Sequence, residues 1–190
     1  MILRFLSKLL VSLSLLACTP VFAAPLVVNV AGIQSYATIG DSGNTVLTFN
    51  VGAFATITGI AYNVNLTAFN PSYLSELALY FGDSDQTTGV FFTPGFEDTH
   101  PGTGTYADAA DLVALGLDFQ VGADGLLRLE FYEDFNDTSV TPDGIWNFGT
   151  ITFLTDAVDV PEPASGLLIG AGLALIGYGA RRRKVVQVAA

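Results

Sequence analysis

The 190-residue chain contains one cysteine, one histidine, one tryptophan and only seven Lys or Arg residues. Each scarcity excludes something. Cys18, alone, can form no disulfide within the chain, no four-cysteine metal site and no CxxC redox pair. His100, followed by Pro101, leaves a zinc site short of ligands and a hydrolytic triad with one possible base. No serine sits in a GxSxG, and no glycine-rich stretch carries the Lys-Ser/Thr of a phosphate loop. Lysine is absent between Lys8 and Lys184, and Arg128 is the only Lys or Arg between those ends until Arg181. All 18 acidic residues lie between Asp41 and Glu162, so with Arg128 as sole cation and His100 neutral, residues 24–162 carry −17. A nucleic-acid partner is excluded, because binding phosphates needs a cationic surface. The carboxylates a glycosidase would need are numerous, Glu76, Glu97, Glu130 and Glu133 among them. Abundance does not single out a pair, and no enzyme is expected.

What is present is concentrated first at the ends. "MILRFLSKLLVSLSLLACTPVFAAPL" opens with Arg4 and Lys8 and continues with an apolar run from Leu9 to Ala17. It closes with Val21 and Ala23 at the −3 and −1 positions of a cut before Ala24. Residues 1–23 therefore read as a signal peptide removed by signal peptidase. Leu15–Cys18 offers a rival, a lipobox that would make Cys18 a lipidated N-terminus. At the other end, Ala164–Ala180 is a 17-residue run without charge, near the short limit for a single transmembrane helix. Arg181, Arg182, Arg183 and Lys184 would keep its end in the cytoplasm and leave the acidic region outside. Pro161-Glu162-Pro163 stands directly before the run; each proline stops helix propagation and holds the preceding residue extended. An extended strip at a membrane surface is a conformation that a protease site accepts.

The order Pro-Glu-Pro, short apolar helix and Arg cluster over residues 160–184 resembles the PEP-CTERM sorting signal of Gram-negative, exopolysaccharide-producing bacteria. The resemblance implies an exosortase-type processing enzyme that reads Pro161, Glu162 and Pro163, with Arg181–Arg183 setting the register in the inner membrane. It implies an inner-membrane intermediate, then delivery to the cell surface or outside. A permanent membrane anchor is the alternative.

Between the ends, residues 24–159 read as one all-β domain, with residues 185–190 a short tail. In Gly59–Phe69 the side chains of Ile60, Tyr62, Val64, Leu66 and Ala68 share one face, and Ala61, Asn63, Asn65 and Thr67 the other. Leu47, Phe49 and Val51 form a second such face; Leu77, Leu79 and Phe81 alternate with Ala78 and Tyr80 in a third. Leu117, Phe119 and Val121, an Ala-Asp-Gly turn at 123–125, and Leu127, Leu129 and Phe131 predict a hairpin. In Ile145–Leu154, Trp146 and Phe148 have one parity, Ile151 and Phe153 the other, which predicts a β-bulge near Gly149. One short helix is expected within Tyr106–Leu115. Many short strands with little helix predict an antiparallel, jelly-roll-like β-sandwich. "ITGIAYNVNLTAFNPSYLSELALYFG" and "DGLLRLEFYEDFNDTSVTPDGIWNFGTITF" resemble the strand pairs of a proprotein-convertase P domain or CUB-like sandwich. That resemblance implies a non-catalytic stabilising or binding module.

Two kinds of site are candidates. "GDSDQ" and "EDFND" place oxygen ligands at strand ends, so Asp83, Asp85, Asp134, Asn136, Asp137 and Asp143 are candidate Ca2+ ligands gathered from two loops. Ordinary Asx turns are the bland reading of the same residues. Tyr80 and Tyr132 sit on the off-core parity of their strands and are candidate saccharide contacts. The expected protein is an exported, non-enzymatic surface or extracellular-matrix sandwich, structural or exopolysaccharide-associated. The alternative is a membrane-anchored calcium- or carbohydrate-binding module.

Overall fold

A computed structural model describes residues 24–156. In chain order these form β1 (Leu26–Asn29), β2 (Ile33–Ser35), β3 (Thr45–Asn50), β4 (Thr56–Ala68), β5 (Leu77–Asp83), β6 (Gly89–Phe92), β7 (Gly102–Asp111), α1 (Leu112–Leu115), β8 (Phe119–Gln120), β9 (Leu126–Glu133) and β10 (Gly144–Asp156). The strands pair antiparallel throughout and make two sheets. In the first, β10 and β4 are the central pair; β1 and β2 follow one another along the free edge of β10, and β7 and β8 along that of β4. The second has the order β3-β9-β5-β6.

Alternation in the sequence decides which residues enter the space between the sheets. Val64, Leu66, Trp146, Ile151 and Phe153 come from the first sheet, Leu77, Leu79, Phe81, Leu127, Leu129 and Phe131 from the second. Phe81 meets Phe153 at 5.1 Å between ring centres, and Phe131 meets Trp146 edge-on at 5.0 Å. Such aromatic pairs add about 0.5–1.5 kcal/mol each beyond the area they bury. The domain is thus an all-β sandwich, as the alternating stretches predict, and the inner faces of β3, β4, β5 and β9 are those expected.

Two expectations hold with a shift of residues, and a third requires correction. The bulge in β10 falls at Asn147, because Trp146 pairs with Leu66 while Phe148 pairs with Asn65. The extra residue turns Phe148 outward, 59% exposed, and returns Ile151 and Phe153 to the core. Gly149 lies two residues further on, at φ 122°, with the Asn63 carbonyl and Val64 Cα where a Cβ would stand. Second, the short helix expected within Tyr106–Leu115 is confined to Leu112–Leu115, and residues 102–111 form a strand. Alanines favour helix locally, but ten residues of register with β4 outweigh that preference. Only Leu112–Leu115 are helical, capped by the Asp111 carboxylate on the Ala114 N–H and by left-handed Gly116. Third, β8 and β9 are not a hairpin: β8 pairs with Thr56 and Ile57 of β4, whereas β9 lies between β3 and β5. The turn at 122–125 carries the chain from one sheet to the other, held by Phe54 N–H on the Gly122 carbonyl and Val51 N–H on the Gly125 carbonyl.

Candidate functional site

The strand directions separate the acidic residues that the sequence reading grouped. On β5, Leu77 pairs with Glu133 of β9, and Asp83 pairs with Leu127. Asp83 therefore lies six residues along β5 from the Glu133 end, roughly 20 Å at the rise of a strand. The two loops expected to share a cation are at opposite ends of the strand. Asp83 is already occupied: it accepts from the Thr87 N–H at 2.7 Å, the Thr87 hydroxyl at 2.5 Å and the Thr88 N–H at 3.0 Å. Burial pushes its carboxyl up, but these donors outweigh burial and hold it below the ordinary range. It ties the β5–β6 turn; Asp85 beside it is exposed.

At the other end the situation reverses. Glu133 follows Leu127, Leu129 and Phe131 on the inward parity of β9 and is fully buried. Neither of its carboxylate oxygens has a hydrogen-bond partner. Asp143, immediately before β10, is also fully buried; its Oδ2 accepts from the Asp137 N–H at 2.9 Å, while Oδ1 has no partner. Gly144 faces the Leu77 side chain, the cross-strand neighbour of Glu133, which brings the two carboxylates to the same end of the core. The surrounding chain is pinned there: Asp143 N–H bonds the Ser35 carbonyl, Glu133 N–H the Ala37 carbonyl, and Asp134 N–H the Glu76 carbonyl. Glu76 accepts from the Tyr73 N–H at 2.8 Å, and Asp137 from the Ser72 hydroxyl at 2.8 Å. Asp134 and Asn136 are exposed.

Electrostatically this end is unbalanced. Burial, then the charges of Asp143, Glu76, Asp134 and Asp137, push the Glu133 carboxyl up to about 9. Burial likewise raises Asp143 and Glu76, with neighbouring carboxylates adding to it. An unpaired buried carboxylate costs several kcal/mol. Glu130 shows the contrast. Burial pushes it up, but bonds from Asn44, Gly40 N–H and Arg128 outweigh that and hold it below the ordinary range.

Tyr80 and Tyr132 do occupy the outer face of the second sheet, but only 5% and 4% of their surface is exposed. Tyr80 lies across Gly82 and Gly89, its hydroxyl donating to the Thr88 carbonyl at 3.0 Å. Phe91 stands over both rings and is the exposed member of the trio. The tyrosines are thus covered, and neither offers a ring face for a sugar to stack on. The side-chain pattern found no signal for a different surface, the outer face of the first sheet. There Asn147, Asn65, Thr67, Thr103 and Thr105 join in a ladder of amide and hydroxyl bonds at 2.7–2.8 Å. No charge enters this ladder. His100 is 80% exposed in its loop, 3.4 Å from Asp98.

Among the described residues no helix is long and apolar enough to cross a membrane. The expected span at 164–180, the signal peptide with Ala23, the tail at 185–190, and Pro161, Glu162, Pro163, Arg181, Arg182 and Arg183 all lie outside those residues. Ala24 is exposed at their start. No curated protein and no solved structure matches the chain. Residues 159–184 match the family model of the PEP-CTERM protein-sorting motif, one residue longer than the sorting signal read from the sequence. The chain therefore carries a PEP-CTERM protein-sorting motif behind an all-β sandwich, which marks it as an exported bacterial protein sorted through an exosortase-type system.

Proposed function

We propose that the mature protein is a non-enzymatic component of the cell surface or extracellular matrix, associated with exopolysaccharide. The observation that carries this reading is the sorting motif at residues 159–184 attached to the sandwich. The outer face of the first sheet supports it. A domain this acidic would repel an anionic polymer, yet the Asn and Thr ladder presents uncharged donors and acceptors along the sheet face. Polar groups of that kind suit hydroxyl-rich chains. Pro161, Glu162 and Pro163 are the residues read by the processing enzyme, and Arg181–Arg183 hold the segment in register. Release by signal peptidase before Ala24 and by the exosortase near Pro161–Pro163 leaves a protein of the outer surface of a Gram-negative cell.

The test is the intact mass of the protein in membrane and medium fractions of its native host, for wild type and Glu162→Gln. A wild-type mass that starts at Ala24 or Pro25 and ends near Pro161–Pro163 is expected, with the uncut form accumulating in the variant. A membrane species that keeps Arg181–Lys184 in wild type would instead make the chain an anchored binding module. A lipid-sized increment on Cys18 would make it a lipoprotein.

A further inference from the structure

The first sheet ends in β7 and the second in β6, and a cavity of 210 Å3 lies between these two edges. Ile60 and Tyr62 of β4, Phe92 of β6, Leu112 of α1 and Leu117 give it apolar walls, and Asp108 of β7 is the one charged residue among them. Strand parity puts it there: Tyr106 and Ala110 pack inward on either side of it, and Asp108 pairs across the sheet with Tyr62. Tyr62 meets Phe92 edge-on at 4.6 Å, so aromatic rings stand beside the carboxylate. Burial, then the Asp108 charge, raises the Tyr62 phenol. Among the described residues no cation pairs with Asp108; its Oδ1 accepts from the Ala109 N–H at 2.8 Å. That bond also reveals the direction of the amides. An Ala109 N–H taken by Asp108 is turned away from β4, and alternation turns those of Thr103, Thr105 and Ala107 the same way. None of these three amides bonds to backbone outside the sheet. A row of outward amides on an edge is a template for another strand.

We propose that β7 and the groove beside it dock an extended, basic segment of a partner protein. Its backbone adds to the free edge of β7, and one Lys or Arg side chain lies in the groove with its cation at Asp108. In strand addition, main-chain bonds hold the segment and pockets beside the edge read its alternate side chains. A long basic side chain matches both parts of this groove. Its methylene stem lies against Leu112, Leu117 and Tyr62, and its charged head meets the carboxylate beside the aromatic pair. Charge selects the occupant. Asp111 and Asp118 bracket the Leu112–Leu117 stretch, and the one Lys or Arg among the described residues, Arg128, is held by Glu130. A second copy would bring this acidic surface against itself, and an anionic segment would be repelled. The inference stands apart from the sorting and exopolysaccharide readings, because it uses the backbone edge of β7 and not the hydroxyls of Thr103 and Thr105.

The test uses the full-length chain in zwitterionic lipid nanodiscs. The probes are the dye-labelled peptide Ac-TVTKTVT-amide and its counterparts with Arg or Glu at the centre, followed by fluorescence anisotropy. The Lys and Arg peptides should bind and the Glu peptide should not. Asp108→Asn should weaken the Lys peptide about tenfold or more, the worth of a hydrogen bond to a charged group. Ala107→Pro removes one outward N–H at an exposed edge position, where proline is tolerated, and should weaken it too. Asp41→Asn, in the loop before β3 at the opposite edge of the second sheet, should bind as wild type does. Hydrogen exchange needs no variant: the Thr105 and Ala107 amides of the wild type should slow when the Lys peptide is bound. No binding of either basic peptide at millimolar concentration would overturn the proposal. So would equal binding of the Glu peptide, or an unchanged affinity in Asp108→Asn. A concentration-dependent dimer that Ala107→Pro disperses would give the edge to a second copy and overturn it as well.

Discussion

Arg128→Met asks whether the lone cation of the domain is a stabilising partner or an ornament of the surface. Arg128 and Glu130 are adjacent on the outward parity of β9, opposite Thr48 and Val46 of β3. The Arg128 side chain is only 13% exposed, and that of Glu130 is fully buried. Glu130 Oε1 accepts from the Gly40 N–H at 2.6 Å and the Asn44 amide at 3.0 Å, while Oε2 accepts from Arg128 at 2.6 Å. Breaking a buried pair by removing one partner costs about 3–5 kcal/mol. Two features lower the expectation here: Met keeps the packed stem, and the variant also removes the buried, unpartnered Nη1 of Arg128. The cost should be near 3 kcal/mol, roughly the lower bound of that range. Glu130→Gln keeps an acceptor for Gly40 and Asn44 but leaves Arg128 uncompensated. The double variant should therefore cost less than the sum of the singles by about 1–3 kcal/mol. The assay is urea unfolding of the full-length chain, followed by Trp146 emission. The pH dependence adds a sign. Because Glu130 is held below the ordinary carboxylate range, its contribution is complete above its unfolded value and is lost as pH falls through its lower folded value. The penalty of Arg128→Met should accordingly shrink in acid. A cost within about 0.5 kcal/mol at neutral pH, the scatter of ordinary surface substitutions, would refute the reasoning. An equal cost in acid would do the same.

Gly149→Ala should be among the most damaging single changes. At φ 122° its new Cβ meets the backbone of the central strand β4, with Val64 Cα at 2.7 Å, and neither partner can give. A loss of about 3 kcal/mol or more is expected from combined strain and overlap; a thermal midpoint unchanged from wild type would show that the backbone yields. Thr103→Ala with Thr105→Ala removes two hydroxyls of the uncharged ladder from the exposed edge strand β7. Retention on the host's isolated exopolysaccharide should fall while the thermal midpoint stays close to that of wild type. Equal retention would remove this face from the proposed function.

How much of this was legible depends on whether local pattern or long-range pairing decides. The inner faces of β3, β4, β5 and β9 follow from parity alone, since one-residue shifts would expose Leu66, Phe81 or Phe131. Parity also predicts a bulge in β10. Its position cannot be read that way, because Trp146 and Phe148 are both large and apolar, and only the pairing with Leu66 and Asn65 separates them. Residues 106–111 fail for the opposite reason: Ala, Asp and Tyr carry little period, so β4 as a partner decides their state. The turn at 122–125 is visible, yet nothing local says that its two arms enter different sheets.

The acidic residues make the same point about sites. Counting them along the chain treats Asp83, Glu130 and Glu133 as equivalents, and spacing drew attention to Asp83 and Asp134 because they sit in dense acidic stretches. Their fates differ with the donors that the fold supplies. Asp83 receives three from a turn, Glu130 three from a loop, a side chain and the only arginine among the described residues, and Glu133 none. One signal for Glu133 was present in the sequence all the same. It continues the series Leu127, Leu129, Phe131 at the period of the strand, a carboxylate where the next core side chain belongs. An acid on apolar parity is a stronger pointer to a buried carboxylate than any density of acids in a loop. Loops can solvate every charge they carry, and the space between two sheets can solvate none.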